Sequence, residues 1–245
     1  MTEAPVMSPP YFGNDAQQRL LRRGRDLHEL IADDPRFTYY GRTVGLNAPD
    51  DGSLDQLLAL VRLQGNSNYA EVPNADMTAL SAEVATQGYK PVTYARWEGG
   101  SSALEAANRI NATMSVPKGL TVHRLSANTP PALLEAFADT ALTCGVLPPA
   151  TAVLAGLGKP GITLLAVTKE GKVASCAAAS AHLSLAHKDA RESCWWGMLS
   201  THPDYRGAGL ALLLGATVIL RMHEDLGYQR FFTGVEPGNT ASETV

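Results

Sequence analysis

Arg206, Gly207, Ala208, Gly209, Leu210 and Ala211 form a stretch suited to holding a charged ligand. Glycine lacks a Cβ, so Gly207 and Gly209 let the backbone turn tightly and bring its N–H groups close to a bulky anion. The residues that follow are apolar at helical spacing. Leu210, Leu213, Leu214, Val218, Met222 and Leu226 recur at threes and fours, which predicts a long helix with one buried face. The first N–H groups of a helix have no internal partner and sit at the positive end of its dipole. The loop therefore reads as a phosphate cradle, with Arg206 adding a fixed positive charge at its rim.

Two common phosphate loops do not fit. A Walker loop needs Gly-Lys-Ser/Thr after its second glycine, whereas Gly209 is followed by Leu210 and Ala211. A dinucleotide fingerprint needs a third small residue where Leu212 stands, and an acidic residue about 20 positions on, outside the same helix. Glu224 and Asp225 lie within or at the end of that helix. The pattern Arg-x-x-Gly-x-Ala, met by Arg206, Gly209 and Ala211 and preceded by a strand-like run and Thr201-His202-Pro203-Asp204-Tyr205, resembles the acyl-CoA pyrophosphate loop of the GNAT acyltransferase superfamily.

The resemblance extends over residues 118–245. It implies an α/β (α+β) fold: a mixed, mostly antiparallel GNAT-like sheet flanked by helices, with an N-terminal helical/αβ extension. It implies acetyl-CoA as acyl donor, held by Leu199, Ser200, Thr201, Arg206, Gly207, Ala208, Gly209, Leu210, Ala211 and Asn239. The backbone of Leu199, at the end of the strand before the loop, would stabilise the oxyanion, and Thr201 would pair a pantetheine amide. That strand would splay from residues 230–235 to open the slot. The acceptor implied is a small-molecule primary amine, and a homodimer is a further implication.

Direct attack by an amine calls for a general base. Glu192 at the start of the strand and Glu236 at the end of the next are the candidates. Both are also ordinary solvated carboxylates at strand ends, so a catalytically silent acyl-CoA-binding module stays open as the alternative. His202 lies in the turn, His182 and His187 flank a polar hairpin, and none is assigned a role. Trp195 and Trp196 are consecutive on a strand and point to opposite faces, so at most one lines the acyl slot.

The remaining elements must place this loop. In the first part, helices are expected from Asn14 or Asp15, with Leu20, Leu21, Leu27, Leu30 and Ile31 on one stripe, and at residues 53–63, 74–87 and 103–112. Ser53 is the expected N-cap of the second, and short strands are expected at residues 69–73 and 89–97. Val116-Pro117-Lys118-Gly119 is the expected boundary between an N-terminal domain (1–117) and the acyltransferase domain (118–245). Glu71-Val72-Pro73-Asn74 resembles Glu236-Pro237-Gly238-Asn239, which makes the first part a candidate degenerate GNAT half. In the second part, strands are expected at 120–125, 162–168, 172–184, 192–200 and 230–235, and helices at 129–142 and after Pro149. The family continues past Asn239 with a helix and two strands, often bearing a tyrosine acid, which the given sequence does not include.

Composition bounds the function. Apolar residues make up 45% and charged residues 18%, enough for a sizeable core. A net charge of -4 leaves no electrostatic footprint for nucleic acid, and no Lys/Arg cluster marks a membrane surface. The apolar run from Leu210 to Leu220 is shorter than the roughly 18 residues that span a bilayer, and the N-terminus has no secretory pattern, so a cytoplasmic location is expected. Cys144, Cys176 and Cys194 lack metal-ligand spacing and read as small buried hydrophobes; no metal is expected.

Overall fold

The computed structural model describes residues 7–244. In chain order the elements are α1 (Asp15–Ile31), β1 (Phe37–Thr38), β2 (Gly45–Leu46), α2 (Ser53–Gln64), α3 (Met77–Thr86), β3 (Ala95–Gly99) and α4 (Ser101–Thr113). They continue with β4 (Leu120–Arg124), α5 (Pro131–Thr143), α6 (Thr151–Leu154), β5 (Gly161–Thr168), β6 (Val173–Ala181), β7 (Ser193–Thr201), α7 (Leu210–Leu226), β8 (Arg230–Val235) and α8 (Thr240–Glu243). Six strands form one sheet in the order β3-β8-β7-β6-β5-β4. Every pairing is antiparallel except β7 with β8, so the sheet is mixed and mostly antiparallel, with helices on both faces.

Its central strands are buried on both sides, which explains their nearly unbroken apolar runs. Alternation splits them between two cores. Ala174, Ala177, Ala179 and Ala181 of β6 face Leu214, Val218 and Met222 of α7, while Cys176 and Ala178 face Leu134 and Phe137 of α5. The small side chains of β6 let α7 approach closely. The same is true at Gly215 on α7, where a Cβ would come within 2.8 Å of Trp196 and 3.0 Å of Leu199. The Trp196 indole donates to the Gly215 carbonyl at 3.1 Å.

The edge strand beside β8 is β3, drawn from the first half of the chain, with Trp97 opposite Thr233 and Glu98 opposite Phe232. Residues 114–119 then lead from α4, packed on α7, across to β4 at the far edge. Before β3, α1 and α2 pack around Tyr39, Val44 and Leu46. The loop from Tyr40 to Val44 is clamped there. A Cβ on Gly24 of α1 would meet the Arg42 carbonyl at 2.1 Å, so only glycine allows this approach. The buried Gln64 amide accepts from Val44 N at 2.9 Å and donates back to Val44 O at 2.6 Å, substituting for a neighbouring strand.

Several expectations shift. Asn14 caps α1 through a capping box with Gln17, but Leu30 is 82% exposed and leaves the stripe. Gly52, not Ser53, occupies the N-cap of α2; the Ser53 hydroxyl instead donates to the Asp50 carbonyl at 2.9 Å. The strand expected at 69–73 reduces to a single bridge at Tyr69, and the one expected at 89–97 begins only at Ala95. The proline-rich start is packed from Met7 on: Phe12 meets Phe137 edge-on with centroids 5.8 Å apart.

Candidate acyl-transfer site

β7 and β8 pair only over Ser193–Trp195 and Arg230–Phe232. Beyond Trp195 the two strands part. In the same region β7 carries an extra residue against β6: Ser200 faces Cys176, but Gly197 faces Ala178. Met198 takes up the excess with φ +58°, a left-handed conformation costing a β-strand side chain roughly 1–3 kcal/mol. The His202 N–H binds Ala174 O of β6 at 2.9 Å. Backbone groups alternate along a strand, so the N–H groups of Thr201 and Leu199 point the other way, toward the side from which β8 has withdrawn.

At the end of β7, Pro203–Tyr205 make one 3-10 turn, and His202 Nδ1 accepts from Asp204 N at 3.3 Å. The turn histidine thus braces the start of the loop. Gly207 (φ +83°) and Gly209 (φ +68°) reverse the chain, and Gly209 is the N-cap of α7. Leu213 N donates to Gly209 O at 3.0 Å, so the N–H groups of Leu210, Ala211 and Leu212 have no partner within the helix. No side chain caps them. A Cβ on Gly207 would meet nothing within 4 Å, and one on Gly209 would lie 2.5 Å from Met114 Cε. Arg206 is exposed at the rim, its Nε donating to the Thr201 carbonyl at 3.3 Å.

Two clefts lie near this region. One of about 300 Å³ sits on the α7 face between α4, α7, β3 and β8, lined by Trp97, Ala103, Ile110, Trp196, Leu212 and Phe231. Another, of about 530 Å³, is bordered by Ala208 and Leu210 and carries Lys118, Lys169 and Arg206, with Asp204 and Glu170 as opposing charges.

A parallel strand pair that parts beside a bulge and feeds a glycine N-cap decides the architecture. The chain has the GNAT fold. No protein-family model matches it, and no curated protein matches it in sequence. Among solved structures, a tandem GNAT protein from the clavulanic acid biosynthesis pathway is similar with a TM-score of 0.50 and 15% identity, over 71% of this chain and 54% of that one. The chain thus spans about half the length of the tandem protein. A GCN5-related N-acetyltransferase from Kribbella flavida is similar with a TM-score of 0.51 and 12% identity, over 88% of this chain and 85% of that one.

Within this GNAT fold the expected site residues separate into two groups. Leu199, Ser200, Thr201 and Arg206 to Ala211 lie together at the opening. Leu199 packs its side chain on α7, the Ser200 hydroxyl is buried without a partner, and Thr201 Oγ1 lies 2.9 Å from Ser175 Oγ. Glu236 is exposed and one residue past β8, at the end of the strand that has parted from β7. Glu192 does not join them. Seven residues of strand, roughly 23 Å, separate it from Leu199, and it lies 3.9 Å from Arg230, which also pairs Asp189 at 3.1 Å. Asn239 commits its side chain to capping α8, accepting from Ser242 N at 3.2 Å.

On the α5 side of the opening, Tyr40, Arg42 and Met198 gather around Trp195, one of the two tryptophans considered for the acyl slot. Trp195 and Met198 face this side, and Tyr40 stacks on Trp195 with centroids 5.0 Å apart. Arg42 donates from Nη2 to Met198 Sδ at 3.4 Å and from Nε to Leu147 O at 2.8 Å. Their segment has no periodicity, so only tertiary contact reveals them. The thiols of Cys176 and Cys194 are buried, and burial pushes Cys176 up to about 12.

His182 is buried here against Phe232, with ring centroids 4.5 Å apart and Nδ1 unpartnered. Burial, then Arg96 and Lys159, push its pKa down to about 3, and burial pushes His28 down to about 4. The unfolded chain takes up these protons near pH 6.5, whereas the folded chain does not until pH 4 or 3. Stability should therefore fall as pH drops from 6.5 toward 4, by up to about 1.4 kcal/mol per pH unit for each proton. Denaturant midpoints across that window should show a shallower slope in His182→Phe than in the parent.

Proposed function

We propose that the chain transfers an acyl group, acetyl in the simplest case, from acyl-CoA to a primary amine of a small molecule. The observation that carries this reading is the parted β7/β8 pair, which opens beside the uncapped N-terminus of α7. The residues present fit the donor. Backbone N–H groups from Gly207 to Leu212 would hold the pyrophosphate, Arg206 its rim charge, and the N–H groups of Thr201 and Leu199 the pantetheine and the thioester oxygen. A thioester supplies an activated carbonyl and a good leaving group.

An alkylamine with pKa about 10 is mostly protonated at pH 7, and releasing its proton costs about 4 kcal/mol. Glu236 would take that proton, directly or through water, from an amine entering the opening. The neutral amine nitrogen then bonds the carbonyl carbon, the carbon–sulfur bond breaks with its electron pair going to sulfur, and the nitrogen's surplus proton passes, directly or through water, to the thiolate, which leaves as CoA thiol. Leu199 N–H meets the negative charge that develops on the oxygen; loss of one such donor costs about 3 kcal/mol in comparable sites. A binding-only module is the second reading, favoured by the distance of Glu192 and the commitment of Asn239 to a cap. Either role would place the chain with the cytoplasmic acyl-CoA pool, and among the described residues no helix is long and apolar enough to cross a membrane.

Incubation with acetyl-CoA and a panel of primary amines, read as free thiol, separates the two. Amine-dependent thiol release is expected; saturable acetyl-CoA binding with no release on any amine would leave the binding module standing.

A further inference from the structure

Four basic side chains near the α5 side of the opening differ in how they are neutralised. Arg96 pairs Glu71 and Glu98, each at 2.8 Å, and Arg230 pairs Asp189 at 3.1 Å. Lys159 gives its ammonium to the carbonyls of Tyr39 and His182 at 2.9 and 3.4 Å. Arg42 has no carboxylate within ion-pair distance among the described residues. The residue is half-buried, its guanidinium lying 5.6 Å from the Trp195 ring centroid and 6.0 Å from that of Tyr40.

A half-buried guanidinium without a counter-charge is costly, and the chain invests structure in keeping it. Gly24 admits its backbone to α1, Gln64 fixes Val44 two residues on, and the Gly41 carbonyl accepts from Ala150 N at 2.7 Å. Two of its five N–H groups are used, on Leu147 O and Met198 Sδ. Met198 is the bulged residue at the strand opening, so the free edge of the fork borders the place where an acceptor would meet the acyl group.

We propose that Arg42 binds a carboxylate of the acceptor, making the substrate class small amines that also carry a carboxylate group. This rests on the acyl-transfer reading and deepens it. The planar guanidinium matches a carboxylate bidentately. Because the acyl donor occupies the α7 face, the acceptor approaches from the α5 face, where Arg42 stands. Arg42 thus fixes the carboxylate while the amine reaches toward the opening and Glu236.

The test uses matched pairs, each an amino acid and its amide, with the full chain and Arg42→Gln. The wild type should prefer the acids by about 10- to 100-fold in kcat/KM, mostly through KM, and Arg42→Gln should erase that preference while keeping its acetyl-CoA affinity. Propionate, but not propionamide, should compete with the acid acceptor in the wild type, a reading that needs no variant to fold. Preference for the amides, a preference retained in Arg42→Gln, or no competition by propionate would overturn the proposal. If no amine is turned over, the acyl-transfer reading fails, and thermal shifts with the same pairs decide the carboxylate site alone. A shift with acids only, lost in Arg42→Gln, sustains it, and equal shifts for acid and amide reject it.

Discussion

Gly209→Val is expected to lower acetyl-CoA affinity by about 100-fold or more while leaving a folded protein. Gly209 sits at φ +68° as the N-cap of α7, and the N–H groups it exposes have no other partner. A branched side chain there would meet Met114 Cε at 2.5 Å and push the backbone out of the left-handed region, displacing the N–H groups of the cradle. Losing two hydrogen bonds to a charged pyrophosphate, at about 1.5–3 kcal/mol each, is enough for the stated loss. Gly227→Val is the matched control. It caps the other end of the same helix at φ +81°, with nothing within 4 Å of its Cβ position. It should show a similar backbone strain as a lower melting temperature, but unchanged affinity by titration.

Glu236→Gln is expected to reduce kcat by about 10² to 10⁴, the contribution typical of a general base, with acetyl-CoA binding unaltered. Its place just past the end of β8 that has parted from β7 is the reason. Glu192→Gln should stay within a few-fold of the parent, because that carboxylate lies at the other end of β7 beside Arg230. Single-turnover measurements at saturating amine make the comparison without interference from product release. An equal loss in both variants would remove Glu236 from the reaction.

The half of the molecule built from local signals was legible in the sequence. Helix α7 and its glycine cap follow from apolar spacing and two residues without Cβ, and β8 spans the expected residues 230–235. The mostly antiparallel sheet was implied by the resemblance of the loop and of the segment order to the GNAT family. What was hidden depends on contacts between distant residues. The sequence suggests a strand ending at Trp97 and a first half that lends a strand and a helix to the same architecture, but an edge strand with mostly exposed side chains has no strong apolar pattern, so its bounds, Ala95–Gly99, and its partner, Arg230–Val235, emerge only from the pairing. The bulge at Met198 and the parting after Trp195 are properties of strand pairs. Arg42 was invisible for the same reason: its meaning lies in Met198, 156 residues away, and in the lack of a carboxylate beside it. Glu192 and Glu236 look equivalent as strand-end carboxylates in the sequence; in the structure Glu192 lies beside Arg230 at the paired end of β7 and β8, whereas Glu236 follows the end of β8 that has parted from β7.

The most direct measurement is a calorimetric titration of the full chain with acetyl-CoA, repeated with Gly209→Val. Saturable one-to-one binding that CoA competes and the substitution abolishes is the predicted result. No binding by the parent, or equal binding by parent and variant, would contradict an acyl-CoA site at the N-terminus of α7.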